Sequence, residues 1–368
     1  MIVVFPNKKL VSIDSILPVL LELKIQYQTN SKTVFFDKKT YMQVHNNVVL
    51  RDVLIYVGGF TYINKRMPLS LLKLLYIYII GFLKVKYIHF GVLSDGILFK
   101  LWKVHSKNVF FSQSDSYRHN HLYYRKKLNG KDYISNIKSF YGNLIAFNDL
   151  MPQLSIVSDS TRVFHFGESR TRSEWINFTR KKSEFYFNKY HANLRFNDNF
   201  IVFILGPMCE VIWLKNKDSY EKLFRETMKI LRDSFSNTKV LLKPHATTNL
   251  DIVNSELEKK GQFELTYLHP SVLAHHANCF ICNLYSTTMA DAYNLGAKTI
   301  EYTDYNEKLL SHTNDKSVSY QYIDYFVNRD QSRLVHALEE SLRKKRKNCK
   351  INQNKSQDTS GLLKELSN

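Results

Sequence analysis

The sequence contains little cysteine and lacks any long uninterrupted apolar run. Only four cysteines occur among 368 residues, which is too few for a disulfide framework and indicates a reducing compartment. Cys279 and Cys282 form a CxxC pair, but no second Cys or His pair follows at zinc spacing, so we expect no metal there. The most apolar segment, residues 69–83, is interrupted by Lys73 and is shorter than the roughly 20 residues that cross a bilayer.

The amino terminus lacks the parts of a signal peptide. Residues 1–6 lead straight into a strand pattern, without a charged start, an apolar middle or a small-residue cleavage site. We therefore expect a cytoplasmic protein. Residues 69–83 predict a core helix, with an interfacial anchor on the inner face of the membrane as the alternative. The basic residues that would flank such an anchor are Lys65, Arg66, Lys84 and Lys86.

Basic residues outnumber acidic ones, so negatively charged partners are expected. The chain has 52 Lys and Arg against 33 Asp and Glu, a formal charge of +19, which attracts nucleic acid, acidic glycans or an anionic membrane face. No helix-turn-helix, zinc-finger or RRM signature is present, and the basic residues are dispersed except near the carboxyl terminus. A nucleic-acid-binding protein is therefore the alternative of another class, and no nucleic-acid partner is expected.

Short β-branched or aromatic runs alternate with helical stretches along both halves of the chain. The predicted strands are residues 2–5, 33–36, 48–57, 85–90, 109–111, 200–205, 239–243, 279–283 and 298–302. This alternation predicts an α/β protein with parallel sheets flanked by helices. Ligands of such folds bind beyond the carboxyl ends of the strands, so the loops after strands are where site residues are expected.

A polar, strongly charged stretch at residues 169–199 separates two such series and suits an interdomain connection. We predict a first lobe over residues 1–185 and a second over residues 186–335. Residues 336–368 are expected to form a basic helix that ends in a flexible, solvated tail. Two successive α/β lobes with a charged hinge are typical of enzymes with a cleft between the lobes.

Hydroxyl side chains follow the predicted strand at residues 279–283. Ser286, Thr287 and Thr288 come just after this strand and open a helix. Hydroxyls and free backbone N–H groups at the start of a helix favour anions, so this sequence predicts a phosphate site. The alternative is that Ser286 or Thr287 only caps the helix.

The strand at residues 239–243 ends in a cation and an imidazole. Lys243 is its last residue, and Pro244 and His245 follow. A histidine there can bind a phosphate or sugar and, when protonated, help to neutralise a departing nucleotide. The alternative is a structural histidine, which the downstream hydroxyl cluster makes less favoured.

In the first half, one carboxylate follows the predicted strand at residues 85–90. Ser94, Asp95 and Gly96 come shortly after this strand. Asp95 could take the proton from an acceptor hydroxyl as a general base. Asp-Gly is also an ordinary turn dipeptide, which is the alternative interpretation.

Four further residues are candidates on weaker grounds. Gly206 follows a strand and would let the backbone approach a donor phosphate, while Glu301, expected after a late strand, could hold a ribose hydroxyl. Both have an ordinary loop residue as the alternative. Arg170 and Arg172 could bind an anionic sugar, but a solvated hinge is the expected role.

The order of these motifs resembles that of bacterial sialyltransferases and polysialyltransferases, which are GT-B enzymes that use CMP-activated sugars. The resemblance implies a GT-B-like fold, two Rossmann-like lobes with a cleft between them. The first lobe would lie on the acceptor side, and the second would bind the nucleotide sugar. It further implies that Asp95 is the general base, His245 assists the leaving phosphate, and Ser286 with Thr287 binds the CMP phosphate. Neither a divalent metal nor another cofactor would be required.

Two departures from that family are visible. The family usually has two acidic residues before glycine, whereas only Asp95 precedes Gly96, and its histidine precedes proline, whereas here Pro244 precedes His245. The Lys-Pro-His order is also similar to enzymes that transfer Kdo or polyol phosphates to surface polymers.

The expected activity is therefore transfer of sialic acid or a related acidic sugar from a CMP-type donor to a bacterial surface glycan such as capsule or lipooligosaccharide. A polyol-phosphate or Kdo transferase is the alternative. The expected partners are the nucleotide-sugar donor, a glycan or glycolipid acceptor, and an anionic inner-membrane surface. The expected donor-binding residues are Lys243, Ser286, Thr287, Thr288, Gly206 and Glu301.

Overall fold

The computed structural model describes residues 1–8, 10–64, 67–83, 85–90, 103–112, 142–147, 161–192, 199–208, 211, 213–216, 218–245, 248–257, 262–349 and 357–368. The chain divides into two compact units. Of the described residues, the first unit holds 1–112, 142–177 and 357–368, and the second holds 178–349. Each unit is built on a parallel sheet with helices, which confirms the predicted α/β fold class with two lobes.

The described strands of the first unit are β1 (Ile2–Phe5), β2 (Ser31–Phe35), β3 (Phe60–Tyr62), β4 (Lys86–Phe90), β5 (Val109–Ser112), β6 (Asn143–Ala146) and β7 (Arg162–His165). They pair in parallel in the order β3-β2-β1-β4-β5-β6-β7. Those of the second unit are β8 (Phe200–Ile204), β9 (Lys239–Lys243), β10 (Phe263–Leu265), β11 (Cys279–Cys282), β12 (Lys298–Thr303) and β13 (Tyr325–Asn328). They also pair in parallel, in the order β10-β9-β8-β11-β12-β13.

The described α-helices are α1 (Leu10–Tyr27), α2 (Lys38–Asn46), α3 (Val48–Val57), α4 (Pro68–Ile79), α5 (Ser173–Tyr190), α6 (Ser219–Ser234), α7 (Leu250–Leu257), α8 (Pro270–Ala274), α9 (Thr288–Asn294), α10 (Glu307–Thr313), α11 (Gln331–Arg343) and α12 (Gln357–Ser367). Short 3-10 segments lie at Ile80–Leu83, Lys103–Asn108, Ser169–Thr171 and Tyr320–Tyr322. Within the described part of the chain, no helix combines the length and the apolar character needed to span a membrane.

The run of β-branched residues at 48–57 is the helix α3, so its prediction as a strand is wrong. Helix signals at both ends explain the difference. The Asn47 side chain accepts the Leu50 N–H at 3.2 Å as an N-cap, and Gly58 ends the helix with a φ of 133°. The buried residues repeat at helical spacing. They are Val48, Val49, Leu50, Val53, Leu54 and Val57.

The charged stretch after residue 169 is not a solvated hinge, because most of it is helix α5 and its first arginines are buried. The Arg172 guanidinium donates to both carboxylate oxygens of Glu22, at 2.7 and 3.1 Å, and both side chains are buried. Arg170 is buried within 3.9 Å of the Asp14 carboxylate. These contacts correct the expectation for both arginines: they form ion pairs that join α1 to the short 3-10 segment just before α5.

The basic run after α11 also differs from the predicted flexible tail. The Arg346 guanidinium donates to the carbonyls of Ala274, Ala277 and Leu295, the latter two at 2.8 and 2.9 Å. These carbonyls lie at the ends of α8 and α9, where a cation is favoured by the helix dipole. Burial lowers the pKa of Arg346 to about 10. The run therefore packs on the second unit.

Helix α12 follows and belongs to the first unit. It contacts α1 and β7, and its side chains Leu362, Leu363 and Leu366 are buried. The Thr359 hydroxyl donates to the His165 carbonyl at 3.4 Å. The end of the described chain is thus part of the core of the first unit.

Candidate functional site

The carboxyl edge of the second sheet has a point where the strand order reverses. The chain runs from β8 outward to β9 and β10, and then returns to place β11 on the other side of β8. Ile204, at the end of β8, pairs with Lys243 of β9 on one side and with Cys282 of β11 on the other. The loops after these three strands therefore begin side by side, at the type of position where α/β sheets bind ligands.

The first residues of the loop after β8 contact α6. The Gly206 N–H donates to the hydroxyl of Tyr220 on α6, and a Cβ atom at Gly206 would lie only 2.5 Å from that hydroxyl oxygen. A side chain at this position would force the Tyr220 ring to shift. Two residues further on, Met208 has a φ of 50°, which bulky residues rarely adopt unless neighbours impose it.

Thr248 ties the loop after β9 to the loop after β8. The His245 N–H donates to Thr248 Oγ1 at 2.8 Å, and the Thr248 N–H donates to the His245 carbonyl at 3.0 Å. Thr248 Oγ1 in turn donates to the Gly206 carbonyl at 2.8 Å. The His245 side chain is exposed, and Lys243 is half-buried. The structure therefore brings together three of the predicted site residues, Gly206, Lys243 and His245.

The loop after β11 carries the predicted hydroxyl cluster. Its first residue, Asn283, is buried and donates through Nδ2 to Thr227 Oγ1 at 2.9 Å and to the Tyr302 carbonyl at 3.0 Å. Ser286 Oγ accepts the Thr288 N–H at 3.3 Å, so Ser286 contributes a long capping bond to α9. Thr287 is the N-cap residue, but its side chain makes no capping bond. Ser286, Thr287 and Thr288 are all half-buried.

Further along the chain from β8, Trp213 and Leu214 contact the residues that follow β12. Leu214 forms an antiparallel bridge with Tyr305, and the Trp213 carbonyl accepts the Asn306 N–H at 2.9 Å. The Trp213 ring packs edge-on against Tyr285, with 6.3 Å between ring centroids. An aromatic pair therefore lies directly beside Ser286 in this loop.

The sequence suggested that Glu301 follows a strand, but it lies within β12. Its side chain is buried, and its two carboxylate oxygens accept the hydroxyls of Tyr305 and Ser317. Burial raises the pKa of Glu301 to about 7, although the two hydrogen bonds oppose the shift. Its position corrects the predicted placement, because the carboxylate faces the core instead of a loop surface.

Glu301 predicts a pH-dependent stability. Because its folded pKa lies above the ordinary value, its contribution is full at low pH and is lost as the pH rises through about 7. The parent should therefore lose unfolding free energy as Glu301 ionises, whereas Glu301→Gln should not. We expect the unfolding free energy of the variant relative to the parent to rise by on the order of 3 kcal/mol from pH 5 to pH 8. Urea unfolding at both pH values measures this difference. The exposed control Glu307→Gln should differ from the parent equally at both pH values, and an equal difference for Glu301→Gln would contradict the prediction.

Two further sequence predictions concern Asp95 and the cysteines. Asp95 lies outside the described residues, so its role as general base stays a prediction. Cys279 and Cys282 are buried in β11, and burial raises the pKa of both thiols, to about 12 for Cys279. Such thiols are poor metal ligands. In the part of the chain that the structure describes, no group of three or more His, Cys, Asp or Glu side chains is arranged to hold a metal ion.

Sequence reasoning missed the residues that hold the site loops. Thr248 lies three residues after His245, a spacing at which a threonine hydroxyl can bond the backbone of its own turn. That local signal was available. Tyr220 and Trp213 have no such signal, because their partners are far away in the sequence.

Comparison with known structures identifies the fold. The UDP-GlcNAc 2-epimerase of Methanocaldococcus jannaschii, in complex with UDP-GlcNAc and UDP, is 11% identical with a TM-score of 0.56, covering 98% of each chain. S. aureus MnaA in a co-structure with UDP is 11% identical with a TM-score of 0.51, covering 100% of this chain and 90% of that one. The UDP-N-acetylglucosamine 2-epimerase of Rickettsia bellii is 11% identical with a TM-score of 0.50, covering 100% and 93%.

These likenesses, together with the two parallel sheets, show a GT-B-like fold of two Rossmann-like lobes. At such low identity they show the fold alone. No protein-family model matches the chain, and no curated protein matches it either.

Proposed function

We propose that this protein is a glycosyltransferase that uses a nucleotide-activated sugar, with the donor held at the carboxyl edge of the second sheet. The observation that carries the proposal is the junction of loops at the strand-order reversal. There, Thr248 fixes the loop of Gly206 against that of His245, and the loop of Ser286 begins on the adjacent strand. Nucleotides bind at such positions in α/β sheets.

The donor phosphate is proposed to bind between these loops. Gly206 lets the backbone approach the phosphate closely, and the hydroxyls of Ser286, Thr287 and Thr288 supply donors from the other side. Lys243 adds a positive charge at the end of β9. The formal charge of +19 favours an anionic donor and an anionic acceptor.

The proposed transfer is a displacement at the anomeric carbon. An acceptor hydroxyl oxygen bonds to that carbon as the bond from the carbon to the donor phosphate oxygen breaks. Asp95 takes the hydroxyl proton as general base. His245, in its protonated form, donates a hydrogen bond to the leaving phosphate and neutralises the charge that develops on it. We propose no role for a divalent metal in this step.

For the donor we propose a CMP-linked sugar, sialic acid or a related acidic sugar, on the strength of the motif order from Asp95 to Thr287. The acceptor would be a bacterial surface glycan or glycolipid. The bound UDP of two similar structures favours a uridine donor as the competing assignment. Polyol-phosphate transfer from a CDP donor keeps the same phosphate site.

Nucleotide binding tests the site and the donor together. We expect CMP, at one hundred times its Kd, to stabilise the protein by about 2.7 kcal/mol, which corresponds to a rise in melting temperature of roughly 5 to 10 °C. Ser286→Ala with Thr287→Ala should remove this rise, because both hydroxyls are proposed to contact the phosphate. Thermal shift with CMP, CDP, UDP and GDP measures both effects. The matched control replaces two exposed serines of the same unit, Ser255→Ala with Ser311→Ala.

The outcomes separate the alternatives. The melting temperature could rise with UDP alone, and the rise could be lost in the Ser286 and Thr287 variant. This result would keep the site and replace the CMP donor by a uridine donor. A rise with any nucleotide that is equal in parent and double variant would remove these hydroxyls from the site. A separate assay follows consumption of the donor in the presence of glycan acceptors. If the donor is consumed without transfer to any glycan, the glycosyltransferase assignment fails.

A further inference from the structure

Helix α4 of the first unit exposes an apolar surface to solvent. Seven large side chains on α4 and the following 3-10 turn are each more than half exposed: Leu69 (71%), Leu72 (62%), Leu75 (53%), Tyr76 (65%), Ile79 (52%), Phe82 (64%) and Leu83 (75%). We refer to the first six of these residues as the α4 surface. Isolated exposed apolar residues are common on proteins, but a contiguous group of this size marks a contact surface.

The five members of the α4 surface within the helix share one face. At 3.6 residues per turn they fall within an arc of roughly 160° that also includes exposed Lys73. The opposite face carries Leu74, which is buried, and Ile77, which is half-buried and packs on the same core cluster. Helix α4 is therefore apolar on both sides, whereas a helix on a protein surface normally presents polar residues to water.

Cationic side chains border this surface. Lys73 is exposed on α4 itself, and exposed Lys107 lies on the 3-10 segment Lys103–Asn108. That segment contacts the turn Ile80–Leu83, and the Phe82 ring packs on His105 with 4.6 Å between ring centroids. The same segment adds Val104, 65% exposed. Apolar and cationic groups thus face solvent on two neighbouring elements.

We propose that the α4 surface docks the protein onto the surface of an anionic lipid bilayer. Aliphatic and aromatic side chains enter the region between headgroups and acyl chains, while lysines stay at the level of the lipid phosphates. The twelve residues of α4 span about 18 Å, so the helix lies along the bilayer surface. Charge complementarity favours an anionic membrane over a protein groove, since the chain carries +19 in total.

Vesicle co-sedimentation of the 368-residue chain tests this proposal, and the assay needs no donor or acceptor. We expect the protein to sediment with vesicles of phosphatidylcholine mixed with phosphatidylglycerol, and to bind phosphatidylcholine vesicles at least tenfold more weakly. Added salt should reduce the difference between the two lipids. Lys73→Gln should likewise reduce it, because one of the bordering charges is lost.

The decisive variant is Leu72→Gln with Ile79→Gln, which keeps good helix formers and removes two apolar side chains from the centre of the surface. We expect it to lower binding to the anionic vesicles at least tenfold at an unchanged melting temperature. The matched control is Met42→Gln with Ile55→Gln, two exposed apolar residues of the same unit on α2 and α3. This control should bind as the parent does.

A spectroscopic arm keeps the proposal testable if the double variant folds poorly. Leu83→Trp places an indole at a side chain that is 75% exposed. Its emission should shift to the blue on addition of the anionic vesicles, relative to the parent protein. An unshifted emission, or equal vesicle binding by parent and double variant, would overturn the proposal. A lipid-independent dimer that Leu72→Gln with Ile79→Gln dissociates would assign the surface to a second copy of the chain and overturn it as well.

Discussion

Replacing His245 with alanine is expected to lower the kcat of sugar transfer about 100- to 10,000-fold, the range that a positioned acid or base contributes. The reason is that the proposed leaving group carries the negative charge that develops in the transition state, and His245 is proposed to neutralise it. Nucleotide binding should change much less, because the backbone at Gly206 and the hydroxyls of Ser286 and Thr287 remain. Steady-state transfer assays and thermal shift measure the two quantities separately.

The matched control for this prediction is His336→Ala. His336 is also exposed and lies in the same unit, on α11, which follows β13. It should retain parental kcat and nucleotide binding. Parental kcat in His245→Ala would remove the histidine from the mechanism, whereas loss of nucleotide binding with unchanged kcat would make it a donor-binding residue only.

Replacing Glu22 with glutamine is expected to destabilise the protein by about 3 to 5 kcal/mol, because the change leaves the Arg172 guanidinium buried without its carboxylate. Both side chains are buried, and they form two parallel hydrogen bonds at 2.7 and 3.1 Å. The corresponding fall in melting temperature is roughly 6 to 20 °C. Urea unfolding followed by circular dichroism gives the free energy directly.

Two further variants show whether charge or packing carries this effect. Glu22→Leu with Arg172→Met should recover most of the loss, because well-packed apolar residues often replace a buried ion pair without cost. Asp218→Asn, which breaks the exposed pair with Lys222, should leave the unfolding midpoint unchanged. Parental stability of Glu22→Gln would mean that the other neighbours of Arg172 are sufficient partners, among them the Phe166 ring, 5.1 Å from the guanidinium carbon, and the Glu174 carboxylate.

Much of the second unit was predictable from sequence, because its strands are buried on both faces. Such strands are continuous apolar runs, and the predicted bounds of β8, β9 and β11 agree with the structure to within one residue. The first unit was harder. The run Val48–Val57 has the composition of a strand, and only the cap at Asn47 and the glycine at residue 58 distinguish it as a helix.

The candidate site was predictable only in part, because its loop contacts depend on the order of the strands in the sheet. Strand ends can be located from sequence, so His245 and Ser286 were correctly expected in loops after strands. Contacts between loops depend on which strands are neighbours, and the bond from Thr248 to the Gly206 carbonyl could not be foreseen. The same holds for Glu22 and Arg172, which are 150 positions apart. Glu301 was placed at a loop because a charged residue near a strand end normally faces solvent.

The position of α12 imposes an order on folding during synthesis. This helix packs on α1 and β7 in the first unit, yet it is translated after all described residues of the second. At about 5 to 20 residues per second, the surface that Leu362, Leu363 and Leu366 will cover stays open for on the order of ten seconds or more. The lobe whose first strands emerge earliest from the ribosome is therefore the one completed last.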